Sequence, residues 1–189
     1  MSILNVTSME ISKHSISKVM TIQPLRIDDS RGYFYESFNK KSFERVVGNS
    51  FQFVQDNHTR SLKNVLRGLH YQINRPQGKL VRVIKGAIFD VAVDLRKSSS
   101  SFGQWVGQIL SDDNFCQLWI PAGFAHGYLA MTDGAEVIYK TTEYYAPEYE
   151  RSISWCDPQL AIKWPINSTP ILSIKDGLAG TFAEADKYA

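Results

Sequence analysis

Two of the four histidines, His70 and His126, lie in glycine-punctuated segments, RGLHYQ and PAGFAHGY. Imidazole takes up or releases a proton near neutral pH, which makes histidine well suited to acid–base chemistry. Neighbouring glycines allow the backbone the close turns that border a cavity. From these residues alone two interpretations stay open: histidines that act on a ligand, or hydrogen-bonded histidines in a core. His14 and His58 lie in polar stretches and are predicted to be a solvated and a structural side chain.

A metal site is the rival explanation for these histidines. Metal-binding histidines often occur as HxH or HxxxH pairs on one element, together with carboxylate ligands. No such pair occurs in the sequence. The spacing therefore favours a site without a metal, with a ligand set scattered over the fold as the alternative.

Further polar and aromatic residues are placed where strands would present them to one cavity. Side chains two residues apart point the same way along a strand, so Gln55 and Asn57 share a face. The remaining candidates of this kind are Arg67, Lys79, Tyr139 and Tyr145. A cavity lined by such residues would be basic and aromatic, which suits an anion that carries a flat ring and a sugar.

The elements that must position these residues are mostly strands, because apolar and polar residues alternate along most of the chain. The segment 79–95, KLVRVIKGAIFDVAVDL, predicts a hairpin that turns at Lys85-Gly86 and buries one side of each strand. Asp90 and Asp94 fall on its polar side. Other strands are predicted over 19–27, 33–38, 51–59, 104–110, 115–120, 136–142 and 153–155, with a turn over 28–32.

One helix is clearly indicated between these strands. Asn39 provides an N-cap, and Gly48 provides the glycine at which helices commonly end. Phe43, Val46 and Val47 form its apolar stripe. A shorter helix is predicted near the C-terminus. Many short strands with turns at roughly ten-residue spacing favour a mainly β chain, folded as one sandwich or barrel.

Length and composition limit the kind of protein. The 189 residues favour a single domain over 1–189. A net charge of +2, without a run of Lys and Arg, argues against nucleic-acid binding, although two or three cations suffice for a small phosphate-bearing ligand.

Cys116 and Cys156 are too few for a disulfide scaffold and are interpreted as reduced thiols. The first twenty residues lack the apolar core of a signal peptide, and no apolar run approaches the ~20 residues of a membrane span. We therefore expect a soluble, cytoplasmic protein with no membrane partner.

Eight segments, taken together, resemble one known family. They are DSRGYFYESF, FVQDNHTRS, LRGLHYQ, QGKLVRVIKGAIFDVAVDLR, SSSFGQW, IPAGFAHGY, EVIYKTTEYYAPEYE and ILSIKD. In this order, from about Lys18 to Asp176, they resemble the dTDP-4-dehydrorhamnose 3,5-epimerase family of the cupin superfamily. The resemblance implies a cupin-type jelly-roll β-barrel or sandwich with a few short helices.

The resemblance also implies a reaction, the inversion of C3 and C5 of dTDP-4-keto-6-deoxyglucose. Both carbons adjoin the C4 ketone, so removal of a proton gives an enolate with its charge on the C4 oxygen. Inversion needs a base, a cation or donor near that oxygen, and an acid on the opposite face of the ring. By resemblance, His70 is the base and Asp176 is the carboxylate that holds it. Tyr139 matches the proton donor and Lys79 the cation, and the redox-neutral reaction requires no cofactor.

The resemblance further implies which residues bind the nucleotide sugar. Arg31, Arg67 and Lys175 match positions that meet the diphosphate, for which the planar fork of arginine is well suited. The other matching positions are Glu36, Gln55, Asn57, Lys79, His126, Tyr145 and Glu150. Tyr145 matches the ring that stacks on thymine, and Phe34 adds to that face.

Relatives in this family are homodimers, and the residues that match Arg31 and Glu36 reach the neighbour's site by strand exchange. The predicted hairpin over 19–38 would otherwise leave an exposed apolar edge. Two departures from the family pattern bear on the site. The loop HYQINRPQGK is one residue shorter than usual, and Arg151 stands where many relatives carry a small residue, at the expected nucleotide end.

Three alternatives to the double epimerase stay open. A related enzyme that inverts only C3 or only C5 would use the same catalytic residues. A non-catalytic cupin that merely binds a nucleotide sugar would have no use for His70 and Tyr139, which are both present. A metal-dependent cupin would hold a stoichiometric metal ion.

Overall fold

Strands make up most of the regular structure of the described residues. The computed structural model describes residues 9–14, 16, 18–48 and 50–189. The strands are β1 (Glu10–Lys13), β2 (Met20–Gln23), β3 (Arg26–Asp29), β4 (Gly32–Tyr35), β5 (Gln55–Ser61), β6 (Leu66–Gln72), β7 (Lys79–Lys85), β8 (Ala87–Asp94), β9 (Trp105–Ser111), β10 (Gln117–Ile120), β11 (Phe124–Ala130), β12 (Ala135–Thr141) and β13 (Glu150–Ser152). The α-helices are α1 (Lys40–Val47) and α2 (Ile174–Gly177). The prediction of a mainly β chain with a few short helices is confirmed.

Two antiparallel sheets pack face to face. The six-stranded sheet has the order β1-β2-β10-β7-β12-β5, and the five-stranded sheet has the order β13-β6-β11-β8-β9. β3 and β4 form a separate two-stranded sheet. Val81 and Val137 of the six-stranded sheet pack with Ile88 and Ala92 of the five-stranded sheet in the central core. The alternating pattern thus buries one face of each sheet against the other.

The predicted hairpin over 79–95 is wrong, although both of its strands exist. β7 pairs with β10 and β12 in the six-stranded sheet, whereas β8 pairs with β11 and β9 in the five-stranded sheet. The chain crosses between the sheets at Gly86, whose φ of 73° suits glycine. Local alternation identifies strands, but the choice of partner depends on segments far away in the sequence.

The expectation that β8 buries one side only is also wrong. All residues over 90–94 are fully buried. One face of β8 packs in the central core, and the other is covered by the C-terminal segment through Leu160 and Phe182. A strand covered on both faces cannot be recognised by one-sided alternation.

Helix α1 covers the outer face of the six-stranded sheet. Asn39 accepts a hydrogen bond from the backbone N–H of Ser42, and Gly48 ends the helix with a φ of 80°. Phe43 is buried with Met20, Ile22, Leu80 and Trp119. The predicted cap, stripe and end of this helix are confirmed, and the short C-terminal helix is α2.

Other predicted elements shift in detail. The strand over 19–27 divides into β2 and β3 at Pro24, which has no N–H to donate to a ladder. The strand expected over 153–155 lies over Glu150–Ser152, and Ile153 only bridges to Gly180. His14 is half-buried rather than solvated, with Nε2 2.8 Å from Oγ1 of Thr21.

The N-terminal expectation, which concerns the first twenty residues, falls only partly on described residues, because 1–8, 15 and 17 lie outside them. Over the ranges that the structure describes, no helix is long and apolar enough to span a membrane. Cys116 is half-buried, Cys156 is exposed, and both are free thiols.

Candidate active site

A cavity of about 290 Å³ opens between the two sheets. Its walls are Gln55, Asn57, His70, Tyr71, Gln72, Gln77, Lys79, Tyr139, Tyr145 and Glu150. β5, β7 and β12 supply one wall, and β6 and β13 supply the other. Seven of these ten, all except Tyr71, Gln72 and Gln77, are residues that the sequence analysis singled out.

His70 reaches the cavity from β6 and is held by Asp176. Its Nε2 lies 2.5 Å from Oδ1 of Asp176, so Nδ1 is the nitrogen left for a ligand. Asp176 is buried in α2, which Ser173 caps. Burial would raise the pKa of Asp176, but the hydrogen bond and charge of His70 hold this pKa below its usual range. A carboxylate in this position fixes the imidazole tautomer and stabilises the imidazolium that forms when a proton is taken.

Two facing glycines allow β6 and β11 to approach closely beside the histidines. A Cβ added at Gly68 would lie 2.5 Å from Cα of Gly127, and one added at Gly127 would lie 2.8 Å from the carbonyl oxygen of Arg67. Gly68 also has a φ of 125°. The strand register places His126 directly opposite His70. Because neither position carries a side chain, the backbones of β6 and β11 can come into van der Waals contact beside the two histidines.

His126 forms a second histidine–carboxylate pair behind the cavity wall. Its Nε2 lies 2.7 Å from Oδ1 of Asp90, and both residues are buried. Burial lowers the pKa of His126, although Asp90 acts in the opposite direction. Oδ2 of Asp90 has no hydrogen-bond partner among the described residues. His126 does not line the cavity, but the charges of Lys79 and His70 act on it.

Tyr139 faces the cavity from the wall opposite His70. It lies in β12 and pairs with Asn57 of β5, both in the six-stranded sheet. Burial raises the pKa of the Tyr139 phenol, and the positive charge of Arg67 opposes this only in part. The phenol therefore stays protonated at neutral pH and is able to donate its proton.

Lys79 places a buried amine on the same wall as Tyr139. It is 8% exposed, and its Nζ has no hydrogen bond or ion pair with any described residue. Burial lowers the pKa of Lys79 to about 8, against the raising effect of Asp90 and Glu150. An unpaired ammonium in a largely buried side chain at a cavity wall attracts a negatively charged oxygen.

A chain of contacts crosses the mouth of the cavity. Nζ of Lys175 lies 2.5 Å from Oε2 of Glu150, and the Tyr145 hydroxyl donates to the same oxygen at 2.7 Å. The Tyr145 backbone N–H donates to Oε1 of Gln55 at 3.0 Å. Burial would raise the pKa of Glu150, but Lys175 and Tyr145 hold this pKa below its usual range. The exposed Tyr145 ring beside a cation suits a flat base linked to phosphate.

Besides Asp176, His126 and Lys175, which lie behind the walls or at the mouth, four predicted residues do not line this cavity. Arg31 pairs with Asp29 on the exposed β3–β4 hairpin. Glu36 and Phe34 line a separate groove of about 720 Å³ on the outside of the protein. Arg67 is exposed and donates from Nε to Oγ of Ser61 at 3.1 Å.

Arg151 does not point into the cavity either. Its guanidinium donates to Oδ2 of Asp186 at 2.8 Å, in the C-terminal segment. Arg151, which we expected to alter the nucleotide end of the site, instead binds the C-terminal segment to β13. The shorter loop before Lys79 leaves that residue in the cavity wall.

Sequence reasoning missed Gln72, Gln77 and Asp90, and also Tyr71, which borders the cavity but packs in the core behind β6. Gln72 lies two residues after His70, so the strand period alone would have placed it on the cavity face. The signal for Asp90 was an acid inside an otherwise apolar run, FDVAVDL, which indicates a paired buried carboxylate as readily as an exposed one. Gln77 lies in a loop and carried no periodic signal.

Potential metal ligands do not cluster at the cavity. Over residues 9–14, 16, 18–48 and 50–189, no three His, Cys, Asp or Glu side chains are grouped so that they could hold a metal ion. The two histidines closest to the cavity are each hydrogen-bonded to one carboxylate.

Comparison with known proteins identifies the family. Residues 13–184 match the family model described as dTDP-4-dehydrorhamnose 3,5-epimerase. A protein of that name from Pseudomonas aeruginosa is 53% identical over 180 residues, which cover 95% of this chain and 99% of the relative. The crystal structure of the dTDP-6-deoxy-D-glucose-3,5-epimerase RmlC from Legionella pneumophila, in complex with dTDP-4-keto-L-rhamnose, has a TM-score of 0.92 at 51% identity and covers 95% of both chains.

A solved structure with a different stated activity also matches. ChmJ, a 3'-monoepimerase from Streptomyces bikiniensis in complex with dTDP-quinovose, has a TM-score of 0.85 at 34% identity and covers 90% of this chain and 86% of its own. The likeness to the solved epimerases confirms the cupin-type fold. The chain belongs to the dTDP-4-dehydrorhamnose 3,5-epimerase family and is an epimerase.

Proposed function

We propose that this protein inverts C3 and C5 of dTDP-4-keto-6-deoxy-D-glucose, as a dTDP-4-dehydrorhamnose 3,5-epimerase. The observation that carries the proposal is the placement of His70 and Tyr139 on opposite walls of one cavity. A base and an acid on opposite faces of a ring are what inversion requires, because a single group could only return the proton to its own side. The names of the matching relatives support the same substrate.

In the proposed mechanism, Nδ1 of His70 removes the proton from C3 or C5 while Asp176 stabilises the resulting imidazolium. The negative charge moves to the C4 oxygen, which Lys79 stabilises, with His126 behind it. Tyr139 then gives its phenol proton to the opposite face of the same carbon. Exchange with solvent returns a proton to Tyr139 and removes one from His70 before the second carbon reacts. All electron pairs are conserved, so the reaction needs no redox cofactor, and we propose that it needs no metal.

The nucleotide is proposed to bind at the mouth of the cavity. Tyr145 stacks on the thymine, and Lys175 leaves Glu150 to meet the diphosphate. Gln55 and Asn57 provide polar contacts along the adjoining wall. Arg67 lies outside that wall and contributes through its positive charge, which acts on Tyr139. A homodimer is part of the proposal, in which Arg31, Glu36 and Phe34 of each protomer reach the partner's cavity. The exposure of the β3–β4 hairpin supports this, since Phe34 is 68% exposed. A cytoplasmic location and a single domain complete the proposal.

The decisive experiment follows deuterium from solvent into the substrate by NMR. In deuterated water, a double epimerase labels C3 and C5 and inverts both, whereas a C3-only or C5-only enzyme labels and inverts one carbon. The 3'-monoepimerase among the matching structures makes the C3-only enzyme the second candidate. Absence of exchange together with tight dTDP binding would indicate a binding protein instead, and lost activity after chelation would indicate a metal enzyme.

Tyr139→Phe tests the proton donor separately. Because His70 still removes the proton, deuterium exchange should fall by less than about tenfold while inversion falls by about 10²-fold. Equal loss of exchange and inversion would count against the donor role. Tyr144→Phe is the matched control, because that exposed hydroxyl does not line the cavity.

Mixed dimers test the exchanged hairpin. Arg31→Ala and His70→Ala chains are each expected to be inactive alone. If Arg31 serves the partner's cavity, a heterodimer of the two contains one cavity with both intact residues, and mixing restores activity. If each Arg31 serves its own chain, mixing restores nothing.

A further inference from the structure

Gln72 joins the two loops that form the mouth of the cavity. These mouth loops are 73–78, between β6 and β7, and 142–149, between β12 and β13. The Gln72 side chain is 3% exposed, and it lies in β6 two residues after His70, facing the cavity. Its Nε2 donates to the carbonyl oxygens of Arg75 at 2.8 Å and Tyr144 at 3.3 Å. Its Oε1 accepts from the backbone N–H of Ala146 at 2.9 Å.

These contacts enclose Tyr145. Gln72 binds the peptide groups on either side of Tyr145, and Gln55 accepts from the backbone N–H of Tyr145. Tyr145 is nevertheless 52% exposed, and among the described residues its hydroxyl is held by Glu150 alone. That bond fixes the far end of the side chain, so the position of the Tyr145 backbone over the cavity depends on the contacts made by the two glutamines.

Only a primary amide can make all the Gln72 contacts. It combines two N–H donors with one oxygen acceptor, and each meets a backbone partner here. A carboxylate would bring its negative charge against two carbonyl oxygens. An apolar side chain of the same size would leave the buried N–H of Ala146 and the two carbonyl oxygens without their partner.

We propose that Gln72 is a positioning residue that sets the place of Tyr145 and thereby the affinity for the nucleotide, without taking part in proton transfer. The inference rests on the proposed nucleotide site. Strand β6 would then carry two roles. His70 is the proton-accepting residue, and Gln72, two residues later, supports the Tyr145 ring that stacks on thymine. The two roles are separable because one concerns the rate of exchange and the other concerns binding.

The test compares the Gln72→Met and Gln72→Glu variants with the unsubstituted protein. Amide hydrogen exchange in 142–149, measured by mass spectrometry without ligand, should become about tenfold faster in both variants. The dissociation constant for dTDP should rise about tenfold, while deuterium exchange into saturating substrate stays within about threefold. Gln108→Met, on β9 and away from the cavity, is the control expected to change none of these.

A double-mutant cycle with Tyr145→Ala shows whether Gln72 acts through Tyr145. If it does, Gln72→Met should change the dTDP dissociation constant by less than about twofold in the Tyr145→Ala background. Losses that multiply would overturn the proposal, as would unchanged amide exchange in 142–149. If Gln72→Met does not fold, Gln72→Glu, which keeps the acceptor, decides the same questions. Failure of the unmodified protein to bind dTDP would overturn the proposed function, whereas the ligand-free amide exchange judges the hold of Gln72 on the loop separately.

Discussion

The His70–Asp176 and His126–Asp90 pairs contain the same groups at nearly the same separation, 2.5 and 2.7 Å, on neighbouring strands. They differ in access, because the His70 side chain is 29% exposed and the His126 side chain 7%. An imidazole at a cavity can exchange a proton with a bound molecule, whereas an enclosed one can only hold its neighbours in place. Burial, and not the pairing itself, therefore separates a candidate base from a support.

The sharpest way to break this comparison is to remove each histidine in turn and measure exchange. His70→Ala should lower deuterium exchange at both carbons by about 10³-fold, because Glu150, the other ionised group on that wall, is already engaged by Lys175 and Tyr145 at the mouth. His126→Ala should retain measurable exchange and mainly raise KM. Solvent exchange followed by NMR measures both, and persistence of the wild-type rate in His70→Ala would refute the base assignment.

Asp176→Asn tests the His70–Asp176 pair while leaving the candidate base, His70, in place. An amide can hold the imidazole in the wrong tautomer and cannot stabilise the imidazolium, so kcat should fall by about 10²-fold with little change in KM. Steady-state kinetics measures the split between the two constants. Asp186→Asn, which alters an exposed carboxylate paired with Arg151, is the matched control and should remain near wild type. A change confined to KM would contradict the orienting role.

His70→Ala should have the larger effect on exchange, but His126→Ala should have the larger effect on the free energy of unfolding. His126→Ala leaves Asp90 buried with neither oxygen partnered, and we expect it to lower the free energy of unfolding by about 3 kcal/mol. His70→Ala should cost about 1 kcal/mol, because the cavity lets water reach Asp176 in its place. Urea denaturation measures both values. Equal losses would mean that access does not distinguish the pairs.

Lys79→Met tests the buried amine on β7, in the sheet opposite the two histidines. The pKa of Lys79 falls from 10.5 to about 8, so its buried charge destabilises the fold by roughly 3 kcal/mol at pH 7. The substitution should raise the free energy of unfolding by up to about that amount while activity falls. Between pH 8 and 10.5 the unfolded chain binds more protons than the folded one, so the stability of the unmodified protein rises with pH and the gain from Lys79→Met shrinks.

Urea denaturation at pH 7 and pH 9.5 checks this pH dependence. Lys85→Met, an exposed residue at the other end of β7, should change stability by less than about 0.5 kcal/mol at either pH. A gain from Lys79→Met that is the same at both pH values would contradict the assigned cause.

Local sequence was a good guide to elements and a poor guide to their partners. The α1 helix follows from a cap, a stripe and a glycine, all within ten residues. The separation of β7 from β8 does not, because each pairs with strands contributed from later in the chain. The double burial of β8 likewise requires the C-terminal segment, which no local pattern near residue 90 announces.

The candidate site shows the same division. His70, Tyr139 and Lys79 were placed together by family resemblance, and the structure sets all three around one cavity. Asp90 was assigned to a polar face because its partner, His126, lies 36 residues away. Arg31 lies away from the cavity of its own chain, and a single sequence does not report what a second copy would supply.

The pair that holds the candidate base joins residues 106 positions apart. During synthesis at ~5–20 residues per second, Asp176 is added to the chain about 5–20 seconds after His70. Throughout that interval the imidazole has no carboxylate, and the outer face of β8 lacks the segment that covers it. A nascent chain of this protein therefore has most of its strands before the candidate base has its carboxylate, and the pair is complete only when α2 docks.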